Sequence, residues 1–490
     1  MSFTFVGLVQ LVIGFVLLFR SMPAMLLFLM ASGLFGGAAA LTVPALGNSS
    51  IPPIQFALVF VYLRVLMPSG GYFELWRDGV KDNFPLVLFT LYGMVAALVA
   101  PRIFAGQIDV APMRFDDARS LFDTVPLKPT SQNITACVYL LGALMVTLSA
   151  YVAVRTAGGI EALVKGGVVI GWVHALTGLI ASQTKGTWVQ DVFALFRNGA
   201  YAQLDQSYQG FNRVDGLFPE ASGWAAFALG WFVFNAECWY RSVWARHTGT
   251  AALLLGGVLF LSTSSTAYVG LACYAAFFAG RAALFPAAAQ PQRLRQAAAA
   301  LVALVFLVAV AIAVVPGMAA KIGQMVVHMT VDKGTSVSGQ QRLFWAMQGV
   351  TAFIASGGLG IGPGSFRSSS LFMAILGTMG VIGIGTFVWY LISVVRPIGA
   401  TVAASGHEAM IAVMRACAVT APIILIPAAV SSPNSHPGTS FAIFAGAALG
   451  LRRMIPHVVR KPDLAILVSR KLSGSPPQAV ATARSSGGSA

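Results

Sequence analysis

Residues 336–370 read SVSGQQRLFWAMQGVTAFIASGGLGIGPGSFRSSS, a polar, glycine-punctuated stretch between two long apolar runs. Ser338 and Gln341 have the spacing of a capping box, in which each side chain bonds the backbone N–H of the other residue, so we predict that a helix begins here. An apolar stripe follows on one face of that helix, at Leu343, Met347, Val350 and Ile354. Such a stripe beside polar residues predicts a helix that lies on a membrane surface.

Arg342 falls in the first turns of this helix, where its guanidinium and the free backbone N–H groups point toward one spot. Helix N-termini and arginines commonly bind phosphate, so one interpretation is an anion site. The alternative is that Arg342 only reaches out to lipid headgroups. Gln341 and Trp345 share another face of the helix and are candidate substrate-binding residues. Trp345 is expected either to stack on the substrate or to anchor the helix at the interface.

The rest of the chain is strongly apolar. Hydrophobic residues make up 57% and charged residues 10% of the 490 positions, and the mean hydropathy is +0.78, which excludes an ordinary water-soluble protein. An apolar run of about 20 residues crosses a bilayer as a helix, and one such run is taken as a single span at Met22–Leu46. We predict an all-α, polytopic membrane helix bundle with about 12–14 transmembrane helices.

The distribution of charge predicts the orientation of the bundle. The net charge is +15, but the excess lies in short loops and in the tail after Leu451, which argues against nucleic acid as a partner. Basic residues collect on the cytoplasmic side, so the C-terminus is predicted to be cytoplasmic and loops 182–222 and 316–370 periplasmic. Alternation places the basic loop 101–133 outside as well, which fits the rule less well and leaves the topology of residues 1–133 open.

Three segments follow from these patterns. Residues 1–133 form an N-terminal transmembrane scaffold, residues 134–451 a transmembrane catalytic core with the two periplasmic loops, and residues 452–490 a basic cytoplasmic tail whose end has the composition of disordered chain. His174 lies inside an apolar run of the core, where it either relays protons or hydrogen-bonds a neighbouring helix. Arg64, in a short apolar run, is either functional or extends to the membrane surface.

Loop 182–222 carries the second group of candidate residues. Arg213, Asp215 and Glu220 lie close together in the sequence, directly before an apolar span. A guanidinium that binds phosphate beside a carboxylate that accepts a proton is a pairing suited to a transferase. The alternative is an ordinary polar loop in which Arg213 pairs with Asp215.

Several motifs occur in order along the chain: Arg213-x-x-Gly with Pro-Glu-Ala-Ser, then Ser-Thr-Ser-Ser-Thr at 262–266, then Ser-Gly-Gln-Gln-Arg-Leu-Phe-Trp with Gly-Leu-Gly-Ile-Gly-Pro-Gly-Ser-Phe. This order resembles the O-antigen polymerase and ligase superfamily of bacterial inner membranes over about residues 212–385. Within that superfamily the chain looks closest to exopolysaccharide polymerases. The resemblance implies a fold of the GT-C glycosyltransferase type that needs neither a nucleotide sugar nor a metal, and we predict no cofactor.

The resemblance also implies roles for particular residues. Arg213 and Arg342 match the periplasmic arginines with which the family handles an undecaprenyl-pyrophosphate-linked sugar chain. The ligase branch usually carries a histidine shortly after the glycine-rich motif, whereas this chain has Ser368-Ser369-Ser370, which counts against a ligase that uses such a histidine.

The chemistry needs cations for a pyrophosphate and a group that takes one proton. For the proton acceptor we favour Glu220, then Asp215, with His328 and Asp332 as further options. Arg367 is either a third pyrophosphate ligand or a headgroup anchor. The glycine run at 357–364 lacks the G-x-G-x-x-G pattern, so we interpret it as a tight turn that brings backbone, including Gly362 and the nearby Ser365, close to the substrate.

The sequence therefore predicts an inner-membrane polymerase that joins undecaprenyl-pyrophosphate-linked oligosaccharide repeats into an exopolysaccharide or O-antigen. The alternatives are ligase-type transfer to a lipid core and a membrane transporter of polysaccharide precursors. A purely structural partner of a secretion machine is a third alternative. Expected partners are the lipid-linked oligosaccharide and membrane lipid, and further candidate partners are a chain-length regulator and export machinery.

Overall fold

The computed structural model describes residues 2–43, 49–114, 120, 122–199, 207–208, 211–317, 319–320, 323–324, 327, 336–397 and 408–459. Most of these residues are helical, which confirms the predicted all-α class. The helices are α1 (Phe5–Leu18), α2 (Met22–Ser32), α3 (Pro53–Leu66), α4 (Tyr72–Asp82), α5 (Phe84–Ile103), α6 (Ser131–Val154), α7 (Gly159–Gln183), α8 (Trp188–Leu195), α9 (Ala221–Tyr240), α10 (Ala245–Leu261), α11 (Ser265–Leu284), α12 (Pro291–Val314), α13 (Val337–Ala355), α14 (Leu371–Val395), α15 (Glu408–Ser431) and α16 (Thr439–Val459).

Seven of the described helices are long and apolar enough to cross a membrane: α5, α6, α7, α11, α12, α14 and α15. Four shorter helices, α1, α2, α3 and α10, are also apolar. The architecture is therefore that of a multi-pass helical membrane protein.

Short strands lie between the helices. β1 (Ser2–Phe3), β2 (Leu41–Val43) and β3 (Ser49–Ile51) form an antiparallel sheet, and β4 (Asp109–Val110) pairs with β5 (Val125–Pro126). β6 (Ser207–Tyr208) pairs antiparallel with β7 (Phe211–Asn212). The predicted single span Met22–Leu46 is wrong beyond Ser32, because the chain turns through a glycine-rich segment and enters β2.

The core of the bundle is built on close helix contacts. α6 packs along α16, and α9 and α15 complete the centre. A Cβ at Gly446 of α16 would overlap the Thr147 carbonyl of α6, so a small residue is what allows the two backbones to approach. Trp231 and Phe444 meet at a ring distance of 4.9 Å across α9 and α16. α12, in contrast, has no buried residue.

The ends of the helices define two faces. We call the face with segments 104–130, 184–220, 356–370 and 432–438 the loop face, and the face where α9, α11, α14 and α16 end the tail face. The backbone N–H of Arg367 donates to the Ala111 carbonyl at 3.0 Å, and that of Ser368 donates to the Pro433 carbonyl at 3.3 Å. The basic loop 101–133 therefore lies on the same face as residues 356–370, as helix alternation predicted.

Helix α13 differs from its prediction in two ways. Its N-cap is Ser336, whose hydroxyl accepts from the Gly339 N–H at 3.1 Å, so the predicted cap at Ser338 is wrong by two positions. It also does not lie flat on the bundle: it runs beside α14 in the same direction, and a Cβ at Gly349 would overlap the Met373 carbonyl. The helix therefore descends along the first half of α14 instead of lying on a membrane surface.

The glycine run then returns the chain to the loop face. Val381 N donates to the Gly358 carbonyl at 3.0 Å, and the Tyr92 hydroxyl of α5 donates to the Leu359 carbonyl at 2.7 Å. Because Val381 lies ten residues into α14, the turn reaches about 15 Å along that helix. At Gly380, φ is 58° and ψ is −151°, which breaks α14 where the turn docks. Residues 337–370 thus form a re-entrant segment.

Candidate functional site

Three arginines of the loop face come from three different segments. Arg213 follows β7, Arg342 lies in the second turn of α13, and Arg367 lies between the glycine run and α14. Arg213 is half-buried, and its Nε atom has no hydrogen-bond partner among the residues that the structure describes. A buried donor left unpaired is costly, so an acceptor on a bound molecule would stabilise this guanidinium.

Electrostatics show which of these groups lie near one another. Burial lowers the pKa of Arg213, and the positive charge of Arg342 lowers it further, whereas Glu220 and Asp215 oppose the shift. Burial also lowers the pKa of Arg367, and Glu220 again opposes it. Arg213 is therefore within electrostatic range of Arg342, and Glu220 is within range of Arg213 and Arg367. We call Arg213, Arg342, Arg367 and Glu220 the loop-face cluster.

Glu220 is the N-cap residue of α9 and is exposed. Its carboxylate accepts a hydrogen bond from the Ser222 hydroxyl. No described arginine or lysine nitrogen lies within the ion-pair distance of 4.0 Å from this carboxylate. The negative charge is thus near two guanidinium groups without being tied to either, which leaves it able to accept a proton from a bound molecule.

Asp215 occupies a different environment. Its side chain is 0% exposed, and its Oδ2 atom lies 2.8 Å from Arg197 Nη2 and 4.0 Å from Lys185 Nζ. Arg197 Nε also donates to the Phe218 carbonyl at 3.1 Å. Asp215 therefore fixes the shape of the loop, and the same contacts argue against its predicted role as proton acceptor. The alternative pairing of Arg213 with Asp215 is not formed either, because Arg197 takes that place.

Trp345 and Arg367 lie against each other. The Arg367 guanidinium is 4.5 Å from the centre of the Trp345 ring, a cation–π contact between the two side chains. On the same face of α13, Gln348 Oε1 accepts from the Ala111 N–H at 3.3 Å. The predicted polar face of α13 therefore points toward the loop face, whereas Gln341 is almost entirely buried.

Gly362 and Ser365 are held inside the protein. A Cβ at Gly362 would overlap the Ala96 carbonyl of α5. Ser365 donates to the Ile361 carbonyl at 2.8 Å and accepts from Asn133 Nδ2 at 3.1 Å. Asn133 also donates to the Pro363 carbonyl at 2.9 Å, so one amide joins α6 to the glycine run. Both predicted substrate-binding residues make contacts that position the return of the chain toward Arg367.

A histidine that the sequence reasoning did not select lies on the same face. His436, in the turn between α15 and α16, stacks on Tyr139 of α6 with 5.2 Å between ring centres. Burial lowers its pKa to about 4, which keeps the imidazole neutral at pH 7. Its turn hydrogen-bonds Ser368, next to Arg367. The sequence signal that could have identified His436 as a candidate is its position in a short turn between two apolar runs.

Other candidates fall outside the cluster. His174 contacts the Trp224 carbonyl through Nε2 at 3.1 Å and stacks on the Trp224 ring at 4.8 Å, which is the helix-to-helix bond offered as the alternative to a proton relay. Arg64 Nε donates to the Arg20 carbonyl at 2.8 Å near the tail face. His328, Asp332 and residues 460–490 lie outside the described residues. Within the described residues, no group of three or more His, Cys, Asp or Glu side chains could hold a metal ion.

No model of a known protein family matches this chain, and no curated protein matches it either. The loop-face cluster and the order of motifs along the chain are therefore the features that indicate a function.

Proposed function

We propose that this protein is an inner-membrane polysaccharide polymerase of the GT-C type, which joins undecaprenyl-pyrophosphate-linked oligosaccharide repeats on the periplasmic side. The observation that supports the proposal is that Arg213 and Arg342, two half-buried arginines from distant parts of the chain, lie within electrostatic range of each other. Like charges brought together in a partly desolvated site are stabilised by an anion between them, and a diphosphate supplies enough negative charge for both. That this diphosphate belongs to a lipid-linked sugar is inferred from the motif resemblance.

The residues can carry out the transfer in one displacement. The acceptor sugar hydroxyl attacks the anomeric carbon of the donor, a new C–O glycosidic bond forms, and the bond from that carbon to the pyrophosphate oxygen breaks. The electron pair leaves with the diphosphate, whose growing charge is stabilised by Arg213 and Arg342. The hydroxyl proton passes to Glu220, the exposed carboxylate of the cluster.

In this proposal Arg367 orients the sugar part of the lipid-linked substrate. Its guanidinium lies 4.5 Å from the centre of the Trp345 ring, which places a cation beside an aromatic surface. Aromatic rings contact the apolar faces of sugars, and guanidinium donors bond their hydroxyls or a phosphate. The same contact fixes Trp345 against the turn that precedes α14.

The test uses a strain that lacks the gene and is complemented with variants. Arg213→Ala and Arg342→Ala are each expected to reduce polymer formation by about 10²–10³-fold, the cost of losing one charge-stabilising group. High-molecular-weight polymer would be lost while short lipid-linked repeats accumulate and the protein remains in the membrane fraction. Arg102→Ala, an exposed arginine of the loop face outside the cluster, is the matched control. Polymer of normal length and amount from both cluster variants would overturn the proposal.

The same strain separates the alternatives. Free long polymer without attachment to a lipid core would identify a ligase. A transporter of polysaccharide precursors is favoured by one observation, the break of α14 at Gly380 beside the re-entrant turn, since transporters bind substrates at broken helices. If the protein is such a transporter, its deletion would leave the lipid-linked repeat on the cytoplasmic leaflet. A labelling reagent added from the periplasm would not reach the repeat there.

A further inference from the structure

A second group of arginines lies at the tail face, around one buried carboxylate. Glu237, in the last turn of α9, is 0% exposed. It accepts from the Tyr274 hydroxyl at 3.0 Å and pairs with Arg281 Nη1 at 2.8 Å, both from α11. Arg241, directly after α9, forms the other ion pair. The Glu237 carboxylate therefore forms ion pairs with two arginines at once.

A third arginine adds charge that the carboxylate does not balance. Arg415 of α15 is exposed and lies within electrostatic range of Arg241. No described acidic residue forms an ion pair with Arg415. Two arginines pair with one glutamate and a third lies within electrostatic range of one of them, which leaves an excess of about two positive charges near the tail face.

The cluster also contains a hydrogen-bond donor that nothing accepts. Nη2 of Arg281 is buried and has no partner among the residues that the structure describes. Since Glu237 is already bonded by Tyr274, Arg241 and Arg281, the carboxylate has little capacity left for this donor. An unmet buried N–H beside unbalanced positive charge indicates that an anion completes the site.

Aromatic side chains place the site at the level of lipid headgroups. The Arg281 guanidinium lies 4.7 Å from the centre of the Tyr240 ring, and Arg293, in the first turn of α12, lies 5.3 Å from the Trp239 ring. The Tyr240 hydroxyl accepts from the Gln290 N–H at 3.2 Å, which ties the start of α12 to α9. Tyrosine and tryptophan at helix ends mark the interface between the apolar membrane and water.

We propose that Arg241, Arg281 and Arg415 bind a phosphate group at the tail face, at a site separate from the loop-face cluster. An anionic phospholipid and a free phosphate carry the same chemistry. The aromatic rim and the position at the helix ends fit the phospholipid, whose phosphate lies at this depth and whose chains follow the exposed surface of α11.

The test titrates purified full-length protein in detergent with phosphatidylglycerol, with zwitterionic phosphatidylcholine as the comparison of zero net charge and inorganic phosphate as a separate probe. Thermal unfolding is followed by tryptophan fluorescence. Phosphatidylglycerol is expected to raise the Tm. Arg415→Gln is expected to weaken this response about fivefold, as one interfacial arginine contributes about 1 kcal/mol to binding an anionic lipid. Arg415 is exposed, so its replacement does not threaten folding.

Arg295→Gln is the matched control, because Arg295 is exposed on the first turns of α12 and forms no hydrogen bond or ion pair with the cluster among the residues that the structure describes. It is expected to respond as the wild type does. A Tm shift with inorganic phosphate alone, lost in Arg415→Gln, would assign the site to a free anion. If neither probe raises the Tm, or if Arg415→Gln and Arg295→Gln both respond like the wild type, the proposal is overturned.

Discussion

Glu220 and Glu237 lie at opposite ends of helix α9, Glu220 at the loop face and Glu237 at the tail face. Each lies near arginines, yet their surroundings differ. Glu237 is wholly buried, and two arginines and a tyrosine use its oxygens. Glu220 is exposed and accepts from one serine, and its arginines are near but not paired with it.

The difference lies in where each glutamate stands in α9. Glu237 is in the last turn, where packing of α11 brings Tyr274 and Arg281 onto it. Glu220 is the N-cap, at the edge of a loop, and its arginines approach from loop segments instead of from packed helices. The same residue types therefore form a buried ion-pair cluster in one place and an open cluster with an exposed carboxylate in the other.

The largest expected effect comes from breaking the buried cluster. Glu237→Gln leaves Arg281 without its counter-charge, and loss of one partner of a buried ion pair costs about 3–5 kcal/mol in the free energy of unfolding. Glu220→Gln, at an exposed position, should change it by no more than about 0.5 kcal/mol. The free energy of unfolding of both variants is measured by unfolding them in detergent mixtures. Equal losses for the two would remove the distinction drawn between the clusters.

A charge-conserving change separates activity from stability. Arg342→Lys keeps the charge but loses the forked pair of N–H donors, so one charge-assisted hydrogen bond of about 1.5 kcal/mol is expected to be lost, with a roughly tenfold lower polymer yield. The Tm should stay unchanged. Arg281→Lys is expected to show the reverse, a lower Tm with polymer formation retained in the folded fraction. A full wild-type yield from Arg342→Lys would show that its charge alone suffices.

Inorganic pyrophosphate tests the open cluster directly. At ten times its Kd, it should stabilise the folded protein by about 1.4 kcal/mol, because ligand that binds only the folded state shifts unfolding by mass action. The gain arises because the anion relieves the repulsion between Arg213 and Arg342. Arg213→Ala should abolish this gain, whereas Arg415→Gln at the other face should keep it. An unchanged response in Arg213→Ala would place the pyrophosphate elsewhere.

The smallest expected effect is a dependence on pH from His436, which neither arginine cluster contains. The folded pKa of His436 is about 4, below the ordinary value of about 6.5, so its stabilising contribution is complete above pH 6.5 and is lost as the pH falls toward 4. Between about pH 6 and 5 the loss amounts to roughly 1 kcal/mol. His436→Gln should flatten this part of the pH–stability curve. A curve of the same slope would assign the dependence to other groups.

Helices and their faces were predictable because the apolar runs are long and uninterrupted. Leu371–Val395 was predicted to the residue, since serines precede it and Arg396 follows it. Alternation of such runs also placed Arg213 and Arg342 on one face. The span predicted at Met22–Leu46 failed because Gly36 and Gly37 allow the chain to turn and pack on residues 217–219, a long-range contact that hydropathy does not record.

The site was less predictable because its geometry depends on partners far along the chain. Asp215 was grouped with Arg213, two residues away, but Arg197, eighteen residues earlier, takes its charge. The apolar stripe that includes Leu343 and Met347 was interpreted as a helix on a membrane surface, but such a stripe alone does not distinguish that helix from one that descends beside α14. That distinction rests on Gly349 and Gly377, whose close approach appears only in three dimensions.

The re-entrant segment also governs the parity of membrane crossings. Because α13 enters and the glycine run leaves by the same side, this segment contributes no net passage, and α14, α15 and α16 keep their orientation. If α13 were lengthened into a complete crossing, those three helices would have to invert and carry the C-terminal end into the other compartment. The glycines that let the chain reverse within the bundle thus decide which compartment receives everything that follows.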